Sequence, residues 1–319
     1  MTYSVLLVGC GRIAVGQLAD SSASTHLGAI LSNPNLRLKG VVDIDPLKAA
    51  SISLLTGSKA FPSLEAALLH NYDVVSVCTP DHTHFEIVKS CLLSPNRPKL
   101  IFSEKPLCQN RSQLSRLQNL LCSYPVPLLV NHTRRFSQRH RLLRELIHTE
   151  RLGAPVSINA TYYGGFIHNG IHAVDTIAFL FSSRIVWTSV SARIPSRFPD
   201  DPCLNLTGTL AGSAIPITLS SVDETFYQIF EFDFRLSAGR VIIEDFGDAI
   251  RVFERFTNVD SENVLRSIEL LPSHEISPLA VAYSEIVTLL DSPTSTQQSL
   301  SLISNVAPSY DMMWQAFVL

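Results

Sequence analysis

The sequence lacks several features that would assign it to other classes of protein. Charged residues make up only 17% of its 319 residues and the net charge is −3, so it has no basic excess of the kind that nucleic-acid-binding proteins use. No apolar run approaches the roughly 20 residues that a membrane-spanning helix needs. The segment Met1–Gly9 is apolar, but it has no basic segment of the kind that begins a secretory signal. We therefore expect a cytoplasmic protein without nucleic-acid or membrane partners.

Cysteine is sparse and unclustered, with no Cys-x-x-Cys pair among the six: Cys10, Cys78, Cys91, Cys108, Cys122 and Cys203. A disulfide framework or a zinc knuckle would need clustered cysteines, so we expect reduced, buried thiols. Cys10 lies inside a glycine turn and admits two interpretations. It is either a redox thiol or a small residue that fills the turn, and we favour the second.

Up to residue 130, short apolar runs alternate with helical stretches. The predicted strands are Ser4–Val8, Arg37–Val42, Val74–Cys78, Leu100–Phe102 and Pro127–Val130. The predicted helices are Pro46–Leu55, Ser63–His70, His84–Leu93 and Arg111–Ser123. Apolar strands that alternate with helices indicate a doubly wound parallel sheet, covered on both faces. Such a sheet binds ligands beyond the carboxyl ends of its strands.

Beyond about residue 154 the pattern changes to strands that follow one another. We predict a strand at Ser157–Tyr163, a helix at Gly170–Leu180 and a strand at Phe230–Leu236, with turns at Ala238-Gly239 and Phe246-Gly247-Asp248. Two final helices are predicted at Pro278–Leu290 and Gln298–Leu319, the second broken by Pro308. The pattern indicates a C-terminal α+β domain with a large, mostly antiparallel open sheet. We place the domains at residues 1–131 and 132–319.

A glycine motif directly follows the first strand. Gly9-Cys10-Gly11-Arg12-Ile13-Ala14 reads GxGxxA, in which the first glycine permits a tight turn and the second lets the backbone approach a pyrophosphate. The small Ala14 allows close packing of the following helix, whose first turn faces the anion. The polar stretch Asp20–Ser24 is expected to break that helix.

An acidic residue completes this dinucleotide signature. Asp43 closes the second predicted strand, where a carboxylate accepts the ribose hydroxyls of NAD and repels the 2′-phosphate of NADP. Asp45 is a competitor, but its position before Pro46 suits a turn or helix cap better. We therefore expect NAD as cofactor, with NADP less favoured.

Three further motifs make a family resemblance specific. Thr79-Pro80-Asp81-His82-Thr83-His84 and Glu104-Lys105-Pro106 each follow a strand, and Gly170-Ile171-His172-Ala173-Val174-Asp175 begins a helix of the second domain. With the glycine motif, this ordered set resembles the glucose–fructose oxidoreductase / inositol dehydrogenase (Gfo/Idh/MocA) family. The resemblance implies a Rossmann N-terminal domain and a C-terminal domain for substrate binding and oligomerisation.

The resemblance also implies residue roles. Lys105 would be the catalytic lysine beside the nicotinamide and His172 the acid/base, with Lys105–Pro106 a cis peptide. The residues expected to bind the cofactor are Gly9, Gly11, Arg12, Ile13, Asp43, Thr79, Pro80, His84, Glu104 and Lys105. The alternative for Lys105 is a solvated surface lysine that follows a strand.

One position departs from the family pattern. Family dehydrogenases commonly carry an aspartate four residues before the histidine, and here His168 stands there. The residues expected to contact the substrate are Arg134, Arg135, His168, Asn169 and His172. The arginines are included because a guanidinium can hold a carboxylate or phosphate. The rest of the arginine-rich run around residues 139–144 is expected to be a solvated helix face.

The spacing of His168, His172 and Asp175 also permits a metal site. We favour no metal, with Asp175 as a hydrogen-bond acceptor.

The resemblance therefore implies an NAD(P)-dependent dehydrogenase or ketoreductase acting on a sugar, cyclitol or nucleotide sugar, and we expect an anionic group on the substrate. NAD-dependent glycoside cleavage and a sensor of the same fold without turnover are the alternatives. The presence of both Lys105 and His172 favours an enzyme. We also expect a homodimer or homotetramer, formed through the C-terminal sheet.

Overall fold

The structure is a computed structural model that describes residues 1–16, 23–149, 151–272, 275–292, 303 and 305–319. These residues form two compact units. The first comprises Met1–Phe136 and Ile276–Ala307, and the second comprises Ser137–Glu275 and Pro308–Leu319. This division differs from the predicted one at residues 131 and 132, because the segment Ile276–Ala307 returns to the first unit.

The first unit is built on six parallel strands. They are β1 Tyr3–Val8, β2 Leu36–Val42, β3 Lys59–Phe61, β4 Val74–Val77, β5 Leu100–Ser103 and β6 Leu128–Val130. Their order in the sheet is β3-β2-β1-β4-β5-β6. All six strands run parallel, but successive strands are added on one side of β1 up to β3 and on the other side from β4 on. A doubly wound sheet opens a ligand crevice at this switch point between β1 and β4. The predicted parallel sheet is confirmed, and the short strand β3 was missed.

The helices of the first unit are α1 Arg12–Val15, α2 His26–Ser32, α3 Pro46–Thr56, α4 Leu64–Ala67, α5 Asp81–Leu93, α6 Arg111–Ser123, α7 Thr133–Phe136 and α10 Pro278–Asp291. Helix α5 begins three residues before its predicted start, with Pro80 at its N-cap. The returning helix α10 packs on α2 and α7. The expected break at Asp20–Ser24 lies largely outside the described residues.

The second unit holds an eight-stranded sheet of order β14-β13-β12-β11-β7-β10-β9-β8. The strands are β7 Pro155–Tyr163, β8 Ile185–Ile194, β9 Cys203–Leu210, β10 Pro216–Val222, β11 Glu231–Leu236, β12 Gly239–Glu244, β13 Ala249–Thr257 and β14 Asn263–Ile268. Only the β7–β10 pair is parallel among the described pairings. The predicted, mostly antiparallel sheet is confirmed.

One face of this sheet is packed and the other is polar. On β11 the side chains of Phe232, Phe234 and Leu236 are buried, whereas Asp233 and Arg235 point to the opposite face. Apolar and charged residues alternate strictly in the sequence of this strand, so its two faces must differ in this way.

The helices of the second unit are α8 Gln138–Ile147, α9 Ile171–Phe181 and, from Pro308 on, α11 Ala307–Ala316. Pro308 lies in the first turn of α11, where proline is tolerated, so it does not break this helix. A π-helical turn, Phe166–Gly170, leads directly into α9, so the helix predicted at Gly170–Leu180 begins earlier and less regularly. A 3₁₀ turn at Asp245–Gly247 joins β12 to β13.

All six cysteines are free thiols, and five of them are buried. Cys122 is exposed on α6, which corrects the expectation that all six would be buried. Within the described residues, no helix has the length and apolarity needed to cross a membrane.

Candidate active site

The glycine turn after β1 lies against the turn after β4. Gly9 has a φ of +92°, and a Cβ placed on it would come within 2.7 Å of the carbonyl group of Cys78. Only glycine fits this close approach. A Cβ on Gly11 would meet nothing within 4 Å, so the backbone there borders open space into which a ligand can reach. Ala14 is fully buried, as the motif predicts, whereas Arg12 and Ile13 are exposed.

Asp43 is fastened to this turn through its carboxylate. One oxygen, Oδ2, accepts a hydrogen bond from the backbone N–H of Cys10 at 2.6 Å, and Oδ1 accepts from the N–H of Asp45 at 2.8 Å. Asp45 itself caps α3 by accepting from the N–H of Leu47, which confirms its predicted role. Asp43 is only half-buried, so its carboxylate can also accept hydrogen bonds from hydroxyl groups of a ligand.

The predicted cofactor residues border a cleft of about 750 Å³ at the carboxyl ends of β1, β2 and β4. A volume of this size is typical of small-molecule sites. Its lining includes Gly9, Gly11, Asp43, Thr79 and Pro80, all five of them singled out from the sequence. The walls are mainly apolar, from Ile44, Pro62, Leu64 and Ile87. Arg12, Ile13, His84, Glu104 and Lys105 are not part of this lining.

Cys10 is a packing residue in this turn. It is 4% exposed. Burial, together with the nearby Asp43 carboxylate, raises the pKa of the Cys10 thiol to about 12. Because the thiolate is the reactive form, the thiol is inert near neutral pH. The structure therefore favours the packing interpretation over the redox one.

His84 is buried and is not part of the lining of this cleft. The ring is 1% exposed. Its Nε2 is 2.7 Å from the carbonyl oxygen of Thr79 and its Nδ1 is 2.7 Å from the carbonyl oxygen of Pro106. A carbonyl oxygen can only accept, so both contacts are hydrogen bonds when the ring carries both protons. His84 thus ties the turn after β4 to the turn after β5.

Glu104 also points into the interior. It is 7% exposed. Its Oε1 accepts from Nδ2 of Asn131 at 2.6 Å and lies 2.9 Å from Nε2 of His26. Burial alone would raise the pKa of Glu104. The hydrogen bond and charge of His26, followed by Asn131 and Lys105, outweigh burial and leave the pKa of Glu104 below its usual value.

The hydrogen bonds continue from His26 to the returning helix α10. Nδ1 of His26 is 2.8 Å from the hydroxyl of Tyr283, which is 2.7 Å from Oγ of Ser76 on β4. His26, Ser76 and Tyr283 have no exposed surface. Burial raises the pKa of Tyr283 well above its usual value, so this hydroxyl stays protonated. We refer to Ser76, Tyr283, His26, Glu104 and Asn131 as the Glu104 network.

Lys105 is therefore fixed from both sides. The carboxylate of Glu104 lies 3.3 Å from the backbone nitrogen of Lys105, and the carbonyl of Pro106 is bonded to His84. The Lys105–Pro106 peptide is cis, as the resemblance implied. Lys105 is half-buried, which is not the environment of a fully solvated surface lysine.

The second unit carries the two histidines predicted for substrate and proton transfer. His168 lies in the π-helical turn and His172 in the first turn of α9. Both are half-buried, as is Asn169. The ring of His172 meets the ring of Phe230 edge-on, with centroids 6.3 Å apart. Nδ1 of His168 lies 2.8 Å from Oδ2 of the buried Asp201.

Asp175 accepts a hydrogen bond from Oγ of Ser309 at 2.8 Å and is buried, so the acceptor role expected of it is confirmed. Across the described residues, no three histidine, cysteine, aspartate or glutamate side chains are placed to hold a metal ion.

The arginines beyond β6 divide between the units. Arg134 and Arg135 belong to α7 of the first unit, where Arg135 donates to the carbonyl of Asn305 at 3.0 Å. In the second unit, Arg139 contacts the carbonyl of Asp248, and Arg144 bonds to Oγ of Ser182 at 2.9 Å. The run is thus not a purely solvated face.

Sequence reasoning missed His26, Tyr283, Phe198 and Asp201. None lies in a recognised motif, and each acts on a residue far away along the chain. A usable signal existed in Gly164-Gly165, since two adjacent glycines before a helix indicate a crowded backbone. A Cβ on Gly165 would lie 2.2 Å from Oδ2 of Asp201.

Comparison with known proteins agrees with this arrangement. Residues 3–132 match the model of an oxidoreductase family with an NAD-binding Rossmann fold, Gfo/Idh/MocA. Inositol 2-dehydrogenase 1 of Mycolicibacterium vanbaalenii is 24% identical over 241 residues, which cover 70% of this chain and 68% of that enzyme. Inositol 2-dehydrogenase of Rubrobacter xylanophilus is 25% identical over 140 residues, which cover 43% of this chain but only 40% of that enzyme.

A solved structure shows the same fold over the whole length. It is a variant of a 3-ketoreductase from Actinomadura kijaniata in complex with TDP-benzene and NADP, with a TM-score of 0.78 and 15% identity over 100% of this chain and 98% of that one. Residues 3–132 are therefore similar to the NAD-binding Rossmann domain of the Gfo/Idh/MocA oxidoreductase family, and the solved structure shares the fold of the whole chain.

Proposed function

We propose that the chain is an NAD(P)-dependent dehydrogenase or ketoreductase that acts on a carbinol or ketone of a sugar, cyclitol or nucleotide-linked sugar. The observation that carries this proposal is the anchoring of Lys105. Buried contacts to Glu104 and Pro106 hold its turn at the carboxyl edge of a Rossmann sheet. Rigid support of this kind is what a residue needs to act on a reacting atom.

The first unit suits a dinucleotide. The open space beside Gly11, the cleft of about 750 Å³ and the half-buried Asp43 carboxylate fit the pyrophosphate, the adenine and the adenosine ribose. When bound, the nicotinamide accepts or supplies a hydride. We infer a preference for NAD over NADP, because a 2′-phosphate beside Asp43 would be repelled. The structure of the similar 3-ketoreductase variant was determined with NADP, so titrations with both cofactors are the test of this preference.

Lys105 and His172 have the chemistry that the family resemblance assigns to them. An ammonium group can donate a hydrogen bond to the alkoxide that develops on the substrate during oxidation. An imidazole can accept the hydroxyl proton near neutral pH and return it in the reverse direction. Thr79 and Pro80 border the cleft, and Glu104 and His84 position the Lys105 turn from within. Each of these roles is a proposal about one residue and does not depend on the position of the others.

The substrate is proposed to carry an anionic group. His168 replaces a carboxylate that would repel anions, and Arg134 or Arg135 can bind a phosphate or carboxylate. The inositol dehydrogenases are named for a neutral cyclitol, whereas the structure of the 3-ketoreductase variant was determined with TDP-benzene. A substrate panel must therefore contain both kinds of compound.

A two-stage experiment tests the proposal. Fluorescence titrations with NADH and NADPH first establish cofactor binding. Reduction of NAD⁺ and NADP⁺ is then followed with myo-inositol, glucose 6-phosphate, UDP-N-acetylglucosamine and a TDP-sugar. We expect NADH to bind more tightly than NADPH, and at least one anionic sugar to be oxidised faster than myo-inositol. Faster turnover of myo-inositol would refute the anionic substrate while leaving hydride transfer intact.

Tight NADH binding without turnover of any panel compound would contradict the proposed function and favour the sensor. Release of an aglycone from a nitrophenyl glycoside, dependent on NAD⁺ but without net NADH formation, would instead favour glycoside cleavage.

A further inference from the structure

Lys48 borders the cofactor cleft of the first unit but has no role in the proposed chemistry. It is the only lysine or arginine among the described residues that line this cleft. The carboxylates on the same lining belong to Asp43, Glu65 and Glu86. The cleft is therefore acidic overall, and it offers a phosphate group one ammonium group, that of Lys48.

The fold places Lys48 close to the carboxylate that is proposed to bind the ribose. Asp43 directly follows β2, Asp45 is the N-cap of α3, and Lys48 is the third residue of that helix. Long side chains on a helix lean back towards its N-terminus, so this position favours a side chain that reaches towards the end of β2. The presence of both Lys48 and Asp43 on the lining of the cleft agrees with that direction.

The charges of Asp43 and Lys48 act on the same group of the glycine turn. Burial is the main reason that the pKa of the Cys10 thiol is raised; the Asp43 carboxylate raises this pKa further, and the Lys48 ammonium lowers it. Coulomb interactions weaken with distance, so Lys48 lies near enough to the turn for its charge to counter that of Asp43 in part. The negative potential at this end of the cleft is therefore smaller than Asp43 alone would produce.

The two charges differ in how the protein compensates them. Both oxygens of Asp43 accept hydrogen bonds from backbone N–H groups, that of Cys10 at 2.6 Å and that of Asp45 at 2.8 Å. Lys48, by contrast, is exposed and forms no ion pair with any residue that the structure describes. Its ammonium group is therefore available to a phosphate of a bound ligand.

The position of Lys48 is unfavourable for the helix that carries it. Lys48 lies in the first turn of α3, where the positive end of the helix dipole disfavours a cation and favours an acidic residue. No acidic residue occupies that turn. Departures from local rules of this kind are expected at functional sites. A role in the cleft therefore explains the placement of Lys48 better than a role in stabilising α3.

We propose that Lys48 is a specificity-determining residue of the cofactor cleft, whose ammonium group binds the 2′-phosphate when NADP occupies the cleft. The inference rests on the proposed function. Asp43 repels the 2′-phosphate and Lys48 attracts it, so the balance of the two charges, rather than Asp43 alone, sets the preference between the cofactors. NADP is then an accepted cofactor, although NAD binds more tightly. Because Lys48 is exposed, salt screens its attraction, and the preference for NAD should increase with ionic strength.

The first test uses fragments of the cofactors, so it depends neither on the nicotinamide nor on turnover. Adenosine 2′,5′-bisphosphate and 5′-AMP differ only in the 2′-phosphate, and isothermal titration calorimetry with the full-length protein measures the affinity of each. Lys48→Gln should weaken binding of the bisphosphate by about 5-fold at low ionic strength and binding of 5′-AMP by less than about 2-fold. The effect on the bisphosphate should shrink at physiological ionic strength.

Two matched variants control for charge and for folding. Lys48→Arg keeps the positive charge and should retain the affinity for the bisphosphate. Lys39→Gln removes the same charge from an exposed position on β2 that is not part of the cleft lining, so it should change neither affinity. Lysine and glutamine have similar helix propensities, so Lys48→Gln should fold like the unaltered protein, which circular dichroism verifies.

The second test applies the same comparison to the complete cofactors. Fluorescence titrations with NADH and NADPH give a ratio of the two dissociation constants, NADPH over NADH. Lys48→Gln should raise this ratio by about 5-fold, because the attraction for the 2′-phosphate is lost while the repulsion from Asp43 remains. In Asp43→Ser the ratio should fall, and adding Lys48→Gln to that variant should raise it again.

The outcomes separate this inference from the proposed function. If Lys48→Gln weakens NADH and NADPH by the same factor, Lys48 contacts a phosphate that both cofactors share, and its role in specificity is refuted. Unchanged affinities for both cofactors refute that role as well. Neither result affects the proposed function. An unaltered protein that binds neither NADH nor NADPH refutes the proposed function and, with it, the role of Lys48.

Discussion

Replacing Tyr283 with phenylalanine isolates the contribution of the Glu104 network, because it removes one oxygen and leaves the ring. That oxygen lies within hydrogen-bond distance of both His26 and Ser76. The ring would still pack edge-on against Phe102, with centroids 5.4 Å apart. The variant therefore leaves two fully buried polar groups without their partner, with little change of shape.

The expected magnitude follows from those two groups. A buried donor or acceptor that loses its partner costs about 1–3 kcal/mol, so the loss of both partners in Tyr283→Phe should lower the free energy of unfolding by roughly 2–6 kcal/mol. His26→Leu should cost about 3–5 kcal/mol, because it leaves the Glu104 carboxylate buried without its histidine. The two costs should not add, since both changes break the same hydrogen bond between His26 and Tyr283.

Urea unfolding followed by far-UV circular dichroism measures these costs, with the double variant completing a thermodynamic cycle. Tyr3→Phe is the matched control, since it removes a similar hydroxyl whose partner, Asp291, is exposed; the loss of stability should be smaller. Two results would refute the network as a cooperative unit. One is a free energy of unfolding for Tyr283→Phe within about 0.5 kcal/mol of that of the unaltered protein. The other is a double variant in which the two costs are strictly additive.

The same network predicts a pH dependence with a definite sign. The pKa of Glu104 is lowered in the folded protein, so the unfolded chain binds its proton first as the pH falls. The stabilisation is fully present above the unfolded pKa of about 4.3 and is lost as the pH falls through the folded pKa. Unfolding free energies measured from pH 6 to pH 3 should therefore decline less steeply for Glu104→Gln than for the unaltered protein.

Three further changes test the site and the assembly. Asp43→Ser should improve NADPH binding relative to NADH by about 10-fold or more in fluorescence titrations, because a carboxylate near the 2′-phosphate is removed; an unchanged ratio would argue against its proposed place at the ribose. Lys105→Ala should lower kcat by roughly 10²–10⁴-fold while NADH still binds; near-normal turnover would exclude Lys105 from the chemistry. Light scattering should show a homodimer or homotetramer at micromolar concentration. A species of only 35.2 kDa would contradict self-association through the C-terminal sheet.

Five of the ten residues that the sequence assigned to the cofactor border the cleft of the first unit, and local geometry holds them there. Gly9 must be glycine, since the turn after β4 approaches within 2.7 Å of where a side chain would begin. Asp43 ends a strand next to that turn, and the parallel sheet brings the two together. Each feature is encoded within a few residues of a strand end, where a motif can be recognised.

The support of Lys105 could not be predicted in the same way, because it depends on distant parts of the chain. His26 lies 78 residues from Glu104 and 257 from Tyr283. No periodicity indicates that a segment beyond residue 275 returns to the first unit. His84 and Glu104 were recognised as motif members, but their burial was not predicted, since spacing alone does not reveal whether a side chain points inwards or outwards.

Both units therefore separate the groups that a ligand can reach from the groups that orient them. In the first unit the half-buried Lys105 is held by the buried Glu104 and His84, and in the second the half-buried His168 is held by the buried Asp201. A buried polar group is costly unless it is hydrogen-bonded, so such supports persist only where every partner is in place. The orienting residues are thus the ones whose loss would unfold as well as inactivate the protein. Conservative variants such as Glu104→Gln and Tyr283→Phe, rather than alanine substitutions, are needed to distinguish these two effects.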